Sequence, residues 1–192
     1  MSKIPYPALA LLVLVSSGLT QTPGTAVNTS PEVTISVYDY AHVSAKTLAA
    51  AESDARRIFR QAGVETVWVT CLPKPERIQL KGCYLVEATH LTLKFLPHAI
   101  SVQARDRDDV LGYALVDEKG AGFYAYAFYD RVQRVAEERQ LGHTLLGDVL
   151  AHEIGHLLLE SKSHAISGIM SAHWNGDELR RISEGTMFFT PS

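Results

Sequence analysis

The segment HTLLGDVLAHEIGHLLL, residues 143–159, constrains the fold more than any other part of the chain. Leu145, Leu146, Val149, Leu150, Ile154, Leu157 and Leu158 recur at helical spacing and fall on nearly every side of the helix. A helix that is apolar all round belongs in the middle of a domain, with other elements packed around it. This one also carries His152, Glu153 and His156. Polar side chains on a buried helix are costly unless their nitrogens and oxygens find partners, and a metal ion is such a partner.

Histidines at i and i+4 leave one helix face separated by about 40° of rotation. Both rings can then reach one tetrahedral zinc ion at roughly 2.0–2.1 Å. Glu153 lies one residue along, beside the metal and not on it. There it can take a proton from a water that the metal has made acidic, and return it to a leaving amine. The HExxH set is therefore expected to hydrolyse peptide bonds with zinc as cofactor, Glu153 being the general base and acid. A structural zinc is a weaker reading, because such sites use four protein ligands, usually cysteines.

A third protein ligand is needed, and the residues leave three candidates. His164 lies eight residues after His156, beyond a turn formed by Glu160, Ser161, Lys162 and Ser163, and is the first choice. Glu178, 22 residues after His156, opens a short helix and would give a thermolysin-like arrangement. His173 follows Met170 closely and is the third.

The rest of the chain reads as one α/β domain built around that helix. VTISVYDYA (33–41) alternates and is rich in β-branched and aromatic residues, so it reads as a strand. A helix capped by Ser44 runs through Gln61, with Leu48, Ala51, Ala55, Ile58, Phe59 and Ala62 as its apolar face and Gly63 as its stop. Further strands are expected at 64–71, 90–97, 110–117 and 123–130, the last two separated by the EKGAG turn. A helical segment from Arg131 to Arg139 and a short helix at 177–182 complete the set.

The N-terminus has one lysine, an apolar run from Ala8 to Val15, and then Ser16, Ser17 and Gly18. That order predicts a secretory signal peptide over residues 1–22, followed by a flexible lead-in at 23–32 and the catalytic domain at 33–192. The apolar run is too short for a permanent transmembrane helix, so no stable membrane insertion is expected after cleavage. The protein should be secreted or periplasmic. Its two cysteines, Cys71 and Cys83, then suggest one disulfide, worth about 3 kcal/mol in the chain-entropy picture. With a net charge of −3 and no basic stripe, nucleic-acid binding has no support. The RDRDD run at 105–109 is mixed in sign and reads as a solvated loop.

HEIGH on a buried helix, a histidine soon after it, and the tight turn SGIM ending in Met170 together resemble the metzincin zinc peptidases. The resemblance extends over residues 33–186 in the order of elements. It implies a mixed, twisted sheet of about five strands, a backing helix, the buried zinc helix, a methionine turn and a C-terminal helix. It also implies that Met170 packs beneath the zinc ligands without binding the metal. An extended peptide substrate would lie along an edge strand, here about Leu111–Val116, which could by sequence alone equally be internal. Two departures stand out. The family's HExxHxxGxxH has glycine where this chain has Leu159 and histidine where it has Lys162, so the motif is stretched by two residues and His164 takes the ligand role. The tyrosine that some members carry after the methionine is replaced by Ala172, and the adjacent His173 is a candidate for serving the oxyanion or the surroundings of the metal. No cysteine-switch segment precedes the first strand. The alternative outside enzymes is an exported module that binds zinc and another molecule without turnover.

Overall fold

The computed structural model describes residues 30–72, 83, 89–98 and 110–191. The expected signal peptide, most of the lead-in, the prolines of the cysteine loop and the 105–109 run lie outside the described residues.

Among the described residues, five strands and four helices make a mixed α/β domain. In chain order they are β1 (Glu32–Asp39), α1 (Ala45–Gln61), β2 (Glu65–Cys71), β3 (His90–Leu96), β4 (Gly112–Leu115), β5 (Tyr124–Phe128), α2 (Tyr129–Arg139), α3 (Thr144–Leu158) and α4 (Gly176–Ser183). The sheet order is β2-β1-β3-β5-β4. The first four strands in this order run parallel, and only β4 is antiparallel, paired to β5 at one edge.

Alternation sorts each strand into two faces. Val33, Ile35 and Val37 of β1 and Leu91, Leu93 and Phe95 of β3 point to one side and are buried there. On that side lie α1 and α3. Ser44 caps α1 as expected, its Oγ accepting the Thr47 backbone N–H at 3.1 Å. Ala51, Ala55, Ile58 and Phe59 then face the sheet and α3. Leu145 to Ala151 and Glu153 to Leu157 are buried, so α3 is the central helix that its all-round apolar pattern demanded.

Several boundaries shift by a residue or two from the sequence reading, and the shifts around β4 and β5 have a visible cause. The strand expected over 110–117 is confined to Gly112–Leu115, because Asp117 folds the chain into a loop: its Oδ1 accepts the backbone N–H groups of Lys119 and Ala121. The strand expected over 123–130 ends at Phe128, and α2 begins at Tyr129 where Arg131 was expected. Asp130 favours the earlier start, since its carboxylate sits in the first turn and accepts the Arg131 N–H at 2.8 Å.

Cys71 at the end of β2 and Cys83 form the expected disulfide. Tyr38 of β1 donates its hydroxyl to the Cys83 carbonyl at 2.8 Å, tying that cysteine to the middle of the sheet. Among the described residues no helix is long and apolar enough to cross a membrane.

Candidate metal centre and cleft

His152, Glu153 and His156 emerge from the C-terminal half of α3, and the chain turns back immediately after it. The reversal is not made where the glycine of the shorter motif would stand. Leu159 keeps right-handed helical angles (φ −85°), and the left-handed residue is Glu160 (φ 47°). A non-glycine pays a modest conformational cost there. The longer turn thus moves the reversal on by one residue and brings His164 back over the helix.

The three histidines converge: one ligand nitrogen from each of His152, His156 and His164 lies within 4.8 Å of the others. The His164 ring stacks on His152 with centroids 5.3 Å apart and meets His156 edge-on at 4.8 Å. His156 Nε2 and His152 Nε2 are 3.1 Å apart. Each of these two rings has its other nitrogen committed. His152 Nδ1 is 2.7 Å from the Ile169 carbonyl, and His156 Nδ1 is 2.7 Å from the Ser161 carbonyl. A carbonyl can only accept, so both Nδ1 atoms carry the hydrogen and both neutral rings present an Nε2 lone pair. Two lone pairs facing each other at this distance repel unless a cation lies between them. Nitrogens held tetrahedrally by zinc at 2.0–2.1 Å would be roughly 3.3 Å apart, so the spacing fits that ion.

The protonation states agree with this geometry. Burial drives the His152 pKa down to about 4, with the Ile169 hydrogen bond opposing and His156 and His164 adding to the fall. Burial also lowers His156, and burial with the neighbouring His156 and His173 lowers His164. All three are neutral near pH 7, the form that binds a metal. These three histidines could hold a metal ion.

Glu153 is buried between α3 and β4. Burial raises its pKa to about 8, and a backbone hydrogen bond from Ala114 opposes the rise. Its room comes from Gly112. A Cβ at that position would lie 2.6 Å from Glu153 Cγ, 2.7 Å from Oε1 and 2.7 Å from the Tyr126 carbonyl oxygen. Only glycine lets the edge strand pass so close to this carboxylate. Phe128 N–H donates to Leu111 O at 2.9 Å, and the alternation of an antiparallel ladder then turns the backbone groups of Gly112 and Ala114 away from β5, toward the cleft.

Met170 is buried, its Sδ against Gly155 at a place where a Cβ would be only 2.7 Å away. The turn that carries it is held by Ala165 N–H on the Met170 carbonyl (2.7 Å) and by Ile169 N–H on Phe188 (3.0 Å). Met170 therefore packs on the helical turn between His152 and His156, while the adjacent Ile169 supplies the carbonyl that orients His152. His173 is exposed and lines the cleft on both sides of the histidine cluster. Its carbonyl accepts the Ser171 hydroxyl at 3.0 Å. Glu178 is not in the cluster. Its carboxylate accepts the Asn175 N–H at 3.4 Å and helps to start α4, which is the work of a helix cap.

Sequence reasoning did not find Gly112, Ala114, Ser161 or Ile169. Gly112 had a readable signal, since a glycine inside an alternating strand marks a close approach of another group. The other three act through backbone atoms, which any residue type supplies.

No protein-family model matches the chain, and no curated protein matches it. Among solved structures the chain is similar to a zinc-dependent peptidase from Methanocorpusculum labreanum (strain Z), at 19% identity and a TM-score of 0.48. The likeness covers 77% of this chain and 92% of that one.

Proposed function

We propose that the protein is an exported zinc-dependent endopeptidase of metzincin type, with His152, His156 and His164 as ligands and Glu153 as general base and acid. The observation that carries this reading is the pair of Nε2 atoms 3.1 Å apart on rings whose Nδ1 hydrogens are both given to carbonyls. Zinc, when bound, supplies a Lewis acid that polarises a peptide carbonyl and makes a neighbouring water acidic.

The chain's own residues do the rest. The charge of a bound zinc would offset the burial that raises the Glu153 pKa, and the ionised carboxylate takes a proton from the attacking water as the water oxygen bonds to the carbonyl carbon. It then hands that proton to the amide nitrogen as the C–N bond breaks, leaving a carboxylic acid and an amine. The Ala114 N–H holds the carboxylate in place for both transfers. Burial against β4 keeps bulk water from competing for the proton. An extended peptide can add to β4 through the outward backbone groups of Gly112 and the carbonyl of Ala114, whose N–H is given to Glu153, as an extra strand beyond the sheet edge. That binding reads main chain and tolerates many sequences. His173 stands where it can donate to the oxygen that gains charge, and Met170 forms the apolar floor under the ligands.

The disulfide supports export to an oxidising compartment, the secreted or periplasmic space to which the N-terminal pattern also points. Metal analysis and proteolysis of an unfolded protein test the reading together. The purified protein is expected to hold one zinc per chain and to cleave the substrate, and Glu153→Gln is expected to keep the zinc and lose the cleavage. A native protein that binds no zinc, or a fully active Glu153→Gln, would overturn it.

A further inference from the structure

Two cavities meet at the histidine cluster and share Leu111, His152, Glu153, Ala172 and His173 in their walls. The first, ≈ 260 Å³, runs under α2 and α3 and is walled by Val135, Leu145, Val149, Trp174 and Leu179, with Arg139 also in its lining. The second, ≈ 480 Å³, follows β4 past His164 and has Lys162 in its lining. Arg139 and Lys162 are exposed, and among the described residues neither has an ion-pair partner. Of the acidic residues near them in sequence, Glu138 pairs with Arg134, and neither Glu137 nor Glu160 lines either cavity. Among the described residues, no carboxylate other than the buried Glu153 lines either space. The chain as a whole carries a net charge of −3, so this local excess of positive charge is not the by-product of a basic protein.

From this we infer that the cleft selects acidic peptides, with Arg139 reading a carboxylate on one side of the scissile bond and Lys162 reading one on the other. The inference rests on the peptidase reading and names its substrate class. A concave, partly dehydrated cleft concentrates the field of its charges, so two unpaired cations attract acidic segments and repel basic ones. The apolar walls before Arg139 suit a side chain with a methylene stem and a charged tip, which favours glutamate over aspartate in the first cavity. Lys162 gains a role by the same argument. It stands at the position of the stretched motif where a ligand was missing, and it faces the substrate.

The test uses the zinc-loaded protein and matched peptides that carry Glu, Gln or Lys on either side of one cleavable bond. Each Glu→Gln change is expected to lower kcat/KM about fivefold at low salt, the scale of a well-placed exposed charge pair, with Lys lower still. Raising the salt should flatten the difference. Arg139→Glu is expected to invert the preference on one side of the bond only, and Lys162→Glu on the other side only. Peptide affinity for the Glu153→Gln protein, followed by fluorescence anisotropy, should rank the same peptides in the same order without turnover. Cleavage that is indifferent to peptide charge overturns the inference and leaves the peptidase reading intact. If no peptide is cleaved, the peptidase reading fails, and the anisotropy series decides the rest. Tighter binding of the acidic peptides then upholds the charged cleft as a binding site, and equal affinities overturn it as well.

Discussion

On the cleft side of α3, His152 and His156 each give a hydrogen to a carbonyl, and Glu153 receives one from Ala114. One turn before His152, where the N-terminal half of the same helix packs against α1, Asp148 is also buried and has an oxygen, Oδ1, with no hydrogen-bond partner. Its pKa is pushed up to about 8 by burial, with Asp54 adding to the rise and Arg57 opposing it. The helix thus tolerates buried ionisable groups in two ways. On the cleft side they are held in one orientation by backbone partners, as a preorganised site requires. On the α1 side burial raises the carboxyl of Asp148 as far as that of Glu153, but no backbone partner holds its Oδ1, so the group is kept neutral without being fixed in place.

If that contrast is right, substitutions on the cleft side should cost function more than stability. Glu153→Gln is the largest expected effect: a fall in kcat on the order of 10³, with zinc content unchanged. Gly112→Ala comes next, because its Cβ would displace both Glu153 and the Tyr126 carbonyl. A loss of at least about tenfold in kcat/KM is expected, again with zinc retained, since Gly112 does not touch the histidines' hydrogen-bond partners. Full activity in Gly112→Ala would show that the carboxylate need not sit where it is held.

How much of this was legible beforehand follows the same division. The burial of α3, the Ser44 cap, the disulfide and the convergence of His164 on the HExxH pair could be read because side-chain type and spacing encode them. The lengths of β4 and β5 could not, because Asp117 ends one with a local loop and Asp130 starts a helix after the other, and both lie within strand-like sequence. The partners of His152 and His156 were invisible for a deeper reason. Ile169 and Ser161 contribute carbonyls, which every residue has, and only the fold decides which one arrives.

Asp148→Asn sharpens the contrast from the α1 side, as an effect on stability and not on catalysis. The folded pKa, about 8, lies above the ordinary value of 3.8. Between those values the folded state holds a proton that the unfolded state has released, so rising pH favours unfolding until the folded pKa is passed. Asp148 should contribute a loss of about 1.4 kcal/mol per pH unit over that window. Asn, which carries no such proton, should remove the slope, and its advantage in thermal melts should grow from pH 6 to pH 8. Melting curves of the two proteins that stay parallel across this range would mean that Asp148 is ionised and paired after all.

Met170→Leu is the smallest effect and asks whether the sulfur matters on the cleft side at all. Met170 touches the helix at Gly155 and leaves the orientation of His152 to the carbonyl of Ile169. Leucine has nearly the same volume, so the packing cost should stay below about 1.5 kcal/mol. Because the backbone hydrogen bond is untouched, zinc content and kcat/KM should remain within about threefold of the native protein, the factor that a small shift in packing would allow. Loss of zinc in this variant would make the sulfur part of the metal's surroundings. It would also move the boundary between held and merely buried groups one layer deeper, from the rings and their carbonyls to the floor beneath them.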